Sequence, residues 1–283
     1  MTRRQAVATL VVVCLVWGVS FTATKQALGD ASPLVLMGLR FGLAAVLILG
    51  ELRGLTRAEA IGGLVLGVLF WAGFVFQTVG LEYTTPSRSA FLTILSTPVV
   101  PVAGFLIYRT VPRLPTVAAI ALAVAGTWLL TGPGGGGLNR GDLLTLGCAV
   151  LFAGQIVAAG HYAPRLSVGR LLALELGSCA LLSFGAAPLL ETPRLDGTPA
   201  LAALVAFLGL TGLWSFRMQL QAQQVLSPTH TAIVFTLEPV FATLTSFLFL
   251  GERLTPLQLV GGAMILAAVA APALEGTAVS GKQ

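Results

Sequence analysis

Apolar residues run along the chain in long blocks separated by short polar or proline-bearing breaks. Ten such blocks fall near residues 5–25, 33–51, 61–82, 88–108, 114–131, 142–162, 169–189, 199–224, 229–250 and 256–273. About 18 to 20 apolar residues suffice to carry a helix through a hydrocarbon core of about 30 Å. Little sequence remains between the blocks, so a soluble catalytic domain has no room. The pattern predicts an all-α integral membrane protein with ten transmembrane helices.

One motif within the pattern occurs twice. Pro86-Ser-Arg-Ser-Ala-Phe-Leu-Thr-Ile-Leu-Ser-Thr-Pro98 returns as Pro228-Thr-His-Thr-Ala-Ile-Val-Phe-Thr-Leu-Glu-Pro239, and each copy is followed by an apolar run, a charged turn and a further proline, Pro115 or Pro256. The offset is 142 at the first proline and 141 at the other two, about half of the 283 residues. A glycine-rich segment, 132–141, separates residues 1–131 from residues 142–283 and reads as an external linker. Each unit then holds five helices. Because five is odd, the second unit enters the membrane from the opposite side, which makes the units inverted repeats around a central cavity. Secondary transporters are built this way, and exchange of two shapes between the halves provides alternating access. No Walker-type glycine loop is present, so ATP drive within the chain is not expected.

Charge orients the helices. Arg3, Arg4, Arg53, Arg57, Arg109, Arg113, Arg165, Arg170 and Lys282 fall on one side, against Lys25, Arg88, Arg140, Arg194 and Arg253 on the other. The positive-inside bias places both termini in the cytoplasm. The start, Met-Thr-Arg-Arg followed by apolar residues, lacks a small-x-small cleavage site and reads as a retained first helix. Apolar residues make up 56% of the chain and charged residues 10%, so the net charge of +5 reflects membrane orientation; no basic run suggests nucleic acid. Cys14, Cys148 and Cys179 lie inside apolar blocks and give neither a disulfide framework nor metal spacing. No cofactor is implied.

The residues also carry a family resemblance. Trp17-Gly-Val-Ser-Phe with Lys25, Arg40-Phe41, Tyr83-Thr84-Thr85 and Leu250-Gly-Glu-Arg-Leu-Thr255 resemble the ten-helix, EamA-type branch of the drug/metabolite transporter superfamily along the whole chain. The resemblance implies a multi-pass exporter of amino acids or related metabolites in the bacterial inner membrane. It also implies a cavity lined mainly by helices one, three, four, six, eight and nine. Among members, the aromatic amino-acid exporters are the most similar. Tyr108-Arg-Thr-Val-Pro112 departs from the family's Gly-Glu-Arg-Leu turn in the first half.

Polar residues inside apolar helices mark the candidate site, because an unsatisfied polar group in hydrocarbon is costly. Gln77 falls on Gln219 at an offset of 142, and Gln155 joins them from the sixth helix. They read as substrate-binding amides or as glue between helices. Phe70, Phe74, Gln77 and Leu81 follow helical spacing, so aromatic and amide groups share one face. Trp17, Trp71 and Trp214 lie too deep for interfacial belts, and Trp17 and Trp214 join Phe74 as aromatic candidates; Trp128 reads as lipid-facing. Arg40, matched to Glu175 at an offset of 135, reads as a structural or gating residue that could also bind substrate. Glu238, beside the helix-breaking Pro239, reads as the lone carboxylate at mid-depth, coupled to a proton or paired with a cation such as Arg217. Tyr83, with Glu82 and Arg88, reads as an outer gate or an interface anchor, and His161 and His230 as solvated or capping side chains.

The expected partners are an amino acid or small metabolite and membrane lipid, with a monomer compatible with this architecture. Competing classes are a carrier for another metabolite or drug, a channel, and a membrane-embedded enzyme. The last would need clustered acids, histidines or cysteines, which the sequence lacks.

Overall fold

A computed structural model describes residues 1–108, 118, 121–122, 125–126, 128–130 and 137–279. Most of the expected fifth span, the turn at 109–113, linker residues 132–136 and the basic residue Lys282 lie outside the described residues. The described residues are helical apart from turns and one isolated bridge, Ala31 to Leu195. The helices are α1 (Arg3–Ala27), α2 (Pro33–Leu47), α3 (Arg57–Tyr83), α4 (Pro86–Thr93), α5 (Ser96–Tyr108), α6 (Arg140–Tyr162), α7 (Val168–Leu190), α8 (Pro199–Ala222), α9 (Pro228–Val234), α10 (Glu238–Leu250) and α11 (Pro256–Val279). Six stretches among the described residues are long and apolar enough to cross a membrane: α1, α3, α6, α7, α8 and the broken rod Pro228–Leu250.

Local chemistry sets the helix ends. Thr2 with Gln5, Thr56 with Glu59, and Asn139 with Asp142 form reciprocal capping boxes at the starts of α1, α3 and α6. Proline opens α2, α4, α8 and α9, where its missing N–H costs nothing.

Both copies of the repeated motif break where an unbroken helix is read from apolar content. Pro98 cannot donate to Ile94, and its ring crowds that carbonyl; the chain leaves α4 at Thr93 and resumes at Ser96. Pro239 acts in the same way on Phe235, and residues Phe235–Leu237 form a 3₁₀ turn between α9 and α10. The second block is also shorter than its apolar content suggests. Its helix ends at Leu47, and a 3₁₀ turn, Leu49–Leu52, lets Glu51 reach Arg217 at 2.5 Å.

Helices from the two halves interleave. α1 packs against α8 and α10, α2 against α7 and α8, and α3 against α6 and α7. The contacts at their ends give their directions. Glu191, just after α7, accepts hydrogen bonds from the Leu34 and Val35 amides at the start of α2, at 3.1 and 3.2 Å. At the opposite end, Gly54, beyond the end of α2, lies against the Arg170 side chain, and Glu59 in the first turn of α3 takes Arg170 and the Ser167 amide at the start of α7, at 3.0 and 3.4 Å. α2 and α7 therefore run antiparallel, each started by a carboxylate from the other half. α3 and α6 are also antiparallel: Gly80 meets Gly141 at one end and Gly62 meets Tyr162 at the other. α1 runs parallel to the α9–α10 rod, since Cys14 donates to the Val234 carbonyl and Thr22 meets Thr245. At Gly18 an added Cβ would lie 2.7 Å from the Ala242 nitrogen, so only glycine permits this approach.

Leucine, phenylalanine and valine cover the outside. Leu189, Leu181 and Val46 are 82%, 76% and 70% exposed, and Trp128 is also exposed, as a lipid-facing residue should be.

Candidate functional site

A cavity of about 840 Å³, its open mouth included, lies where α1, α2, α3, α4, α6, α8 and the α9–α10 break converge. Helical spacing delivers its walls. Residues 17, 20, 21 and 24 of α1 lie on one face, as do 70, 74, 77 and 81 of α3 and 208, 212, 216 and 219 of α8.

The floor is aromatic. Phe70 contacts Phe74 and Phe216 at ring-centroid distances of 4.6 and 4.7 Å, Phe41 contacts Phe74 at 5.0 Å, and Phe74 contacts Phe152 at 5.1 Å. Trp17 extends this floor to Phe216 and Phe235, at 5.3 and 4.8 Å. Its indole N–H is held by the Ser215 hydroxyl at 2.9 Å, so the ring rather than the N–H serves the cavity.

Arg40 lies over this floor. Its guanidinium carbon is 4.3 Å from the Phe41 centroid and 4.7 Å from that of Phe74, within the range of cation–π attraction. Nη1 donates to the Thr24 hydroxyl at 3.2 Å. Nε and Nη2 are buried and have no partner among the described residues. These two nitrogens share the edge of the guanidinium that grips a carboxylate with two parallel hydrogen bonds. Glu238, at the start of α10, also lines the cavity and makes no ion pair within 4.0 Å among the described residues. Arg40 and Glu238 are the only charged residues among the described lining residues.

Amides complete the walls. Gln77 donates to the Thr93 hydroxyl at 3.3 Å. Across the cavity Gln219 donates to Gln155 at 3.0 Å, and Gln155 to Glu175 at 2.7 Å.

The structure thus brings Trp17, Phe74, Gln77, Gln155, Gln219, Arg40 and Glu238 to one cavity. It leaves out Trp214, a substrate-binding candidate from the sequence. Trp214 is 39% exposed and away from the cavity, because it precedes Phe216 by two positions and so points about 200° around α8 from the lining face. Tyr83, at the end of α3, is exposed beneath the Arg140 guanidinium, 5.1 Å from its ring centroid. Arg217 pairs with Glu51, not Glu238. Arg88 is buried against Asp142. His230 accepts or donates within a cap formed by Ser227 and Arg3.

Sequence reasoning missed Thr24, Phe41, Phe216 and Glu175. Thr24 and Phe216 were recoverable from spacing, seven residues from Trp17 and three from Gln219. Glu175 carried only its match to Arg40, and nothing in the sequence shows that it reaches Gln155. A second acid, Glu175, is fully buried and reaches Gln155 behind the cavity wall. No group of histidines, cysteines and acids suited to a metal occurs among the described residues.

Comparison with known proteins places this geometry in context. A solved crystal structure superimposes with a TM-score of 0.71 over 98% of this chain and 99% of its own, at 19% identity, which speaks to the fold alone. An uncharacterized transporter of Archaeoglobus fulgidus is 31% identical over 92% of this chain and 83% of its own length. A probable amino-acid metabolite efflux pump of Salmonella typhimurium is 26% identical over 94% of each. The profile of the EamA-like transporter family matches residues 4–132 and matches again at 139–271. The chain, multi-pass and helical, therefore belongs to the EamA-like transporter family of the drug/metabolite transporter superfamily.

Proposed function

We propose that this protein is a secondary transporter that exports amino acids, aromatic ones included, and related small metabolites by alternating access. The observation that carries the reading is the buried Arg40 edge, Nε and Nη2, which has no partner among the described residues and lies above a phenylalanine floor in the same cavity as Glu238, which makes no ion pair among them. A substrate carboxylate takes the arginine edge, an ammonium group takes Glu238, and an apolar side chain lies on the rings. One cation and one anion balance a zwitterion; a phosphate dianion would leave charge uncompensated. The name of the Salmonella relative points to the same substrates.

The proposed architecture is ten helices in two inverted units, 1–131 and 142–283, joined through 132–141. The antiparallel α2–α7 and α3–α6 pairs, the two matching proline breaks and the doubled family match support it. Both termini face the cytoplasm of a bacterial inner membrane in this reading, as the distribution of basic residues favours. Alternating access then amounts to one half rocking on the other around the cavity.

Cells loaded with labelled phenylalanine and expressing the protein are expected to retain less label than empty-vector cells. Equal retention for every amino acid in a panel, with the protein present in the membrane, would overturn the substrate assignment.

A further inference from the structure

The amides on the second-half wall form a chain whose two ends rest on acceptor oxygens. Gln155 Nε2 donates to Glu175 Oε1 at 2.7 Å, and Gln223 Nε2 donates to the Ile156 carbonyl at 2.8 Å. A main-chain carbonyl has no hydrogen to give, and a carboxyl group keeps an acceptor oxygen for Gln155 even when its other oxygen holds a proton, so both glutamines point their nitrogens outward along the chain and their oxygens inward. Those oxygens meet at one atom: Gln219 Nε2 donates to Gln155 Oε1 at 3.0 Å and to Gln223 Oε1 at 3.3 Å. A reversed Gln219 would set its own oxygen against two others in a buried site, which low dielectric makes expensive. Gln219 therefore has one orientation. Its Oε1, which accepts nothing among the described residues, is the atom left to the cavity that Gln219 lines.

The first-half counterpart behaves differently. Among the described residues Gln77 bonds to the Thr93 hydroxyl alone, which can donate or accept, so it can turn either end inward. The position matched to Glu175 holds Arg40. One wall of the cavity is adaptable and the other is fixed as an acceptor.

We infer that Glu175, which does not line the cavity, is a positioning residue that acts through Gln155 to hold Gln219 as a hydrogen-bond acceptor, and so selects substrates bearing an N–H donor. Glu175 is fully buried, and its other oxygen has no partner among the described residues, so its one visible task is to orient Gln155. The identity of the ligand rests on the transport reading above; the relay itself does not.

Two measurements test the inference. In proteoliposomes, exchange of phenylalanine is compared with that of its N-trimethyl betaine, which keeps both charges and lacks any N–H. Glu175→Met keeps the volume but removes the acceptor; it is expected to raise KM for phenylalanine at unchanged kcat and to cut the preference for phenylalanine over the betaine about tenfold. Glu175→Gln retains an acceptor oxygen and is expected to restore most of the preference. An unchanged preference in Glu175→Met would overturn the assignment. The second measurement needs no substrate. In protein labelled with ¹⁵N-glutamine, the side-chain NH₂ signals of Gln155 and Gln219, assigned with Gln155→Leu and Gln219→Leu, are expected to shift in Glu175→Met while that of Gln77 stays. A stationary Gln219 signal would refute the relay even if transport is confirmed, and a shifted one would uphold it even if phenylalanine is not carried.

Discussion

Replacing Arg40 by methionine separates binding from stability. The substitution loses the hydrogen bond to Thr24 and the stacking on Phe41 and Phe74, together about 2–5 kcal/mol. It also removes two buried N–H donors that lack partners among the described residues, each costing about 1–3 kcal/mol, so the terms offset and thermal stability should change little. Binding has no such offset. Two charge-assisted hydrogen bonds to a substrate carboxylate contribute at least about 3 kcal/mol, or about 100-fold in affinity. Arg40→Lys keeps the charge without the two-pronged edge and should lose about tenfold. The assay is the concentration dependence of labelled phenylalanine exchange in proteoliposomes, with a melting curve of each purified variant. A KM for Arg40→Met within a few-fold of wild type would refute the carboxylate role. A large loss of stability at unchanged KM would make Arg40 a structural residue.

Other expectations follow from the same geometry. Asp142 is fully buried and accepts from Arg88, from Thr84 at 2.7 Å and from the Asn139 amide at 3.0 Å; Asp142→Ala should destabilise by about 3–5 kcal/mol, seen as a lower melting temperature. Gly18→Ala forces a methyl against the α10 backbone and should lower both stability and transport, by about 1–3 kcal/mol in a melting experiment. Trp214→Ala should leave the KM for phenylalanine unchanged, whereas Trp17→Ala should raise it; the opposite order would mean that α8 is rotated from its described position.

Periodicity made much of this legible. The shared face of Phe70, Phe74, Gln77 and Leu81 follows from 3.6 residues per turn, and the proline repeat points to two related units. Details that depend on which direction a helix faces did not follow. Trp214 has the right depth and the wrong azimuth, which no hydropathy pattern distinguishes in a helix that is apolar nearly all round. The breaks at Ile94 and Phe235 were implicit in Pro98 and Pro239, four residues downstream in each case, but apolar content hid them. Glu175 and Gln155 are 20 residues apart and Arg217 and Glu51 are 166 apart, so only the packing of α6 and α7, and of α2 with its following turn on α8, decides those pairings. Cost arguments located buried polar residues, and partners had to come from the fold.

The central claim is that one cavity, reached in turn from either side, carries a zwitterion. Counterflow tests it most directly: proteoliposomes preloaded with unlabelled phenylalanine are diluted into a trace of labelled phenylalanine. A carrier should transiently concentrate label inside above the external level, and Arg40→Met should abolish this overshoot. Label that merely equilibrates, or enters wild-type and empty vesicles alike, would contradict the account.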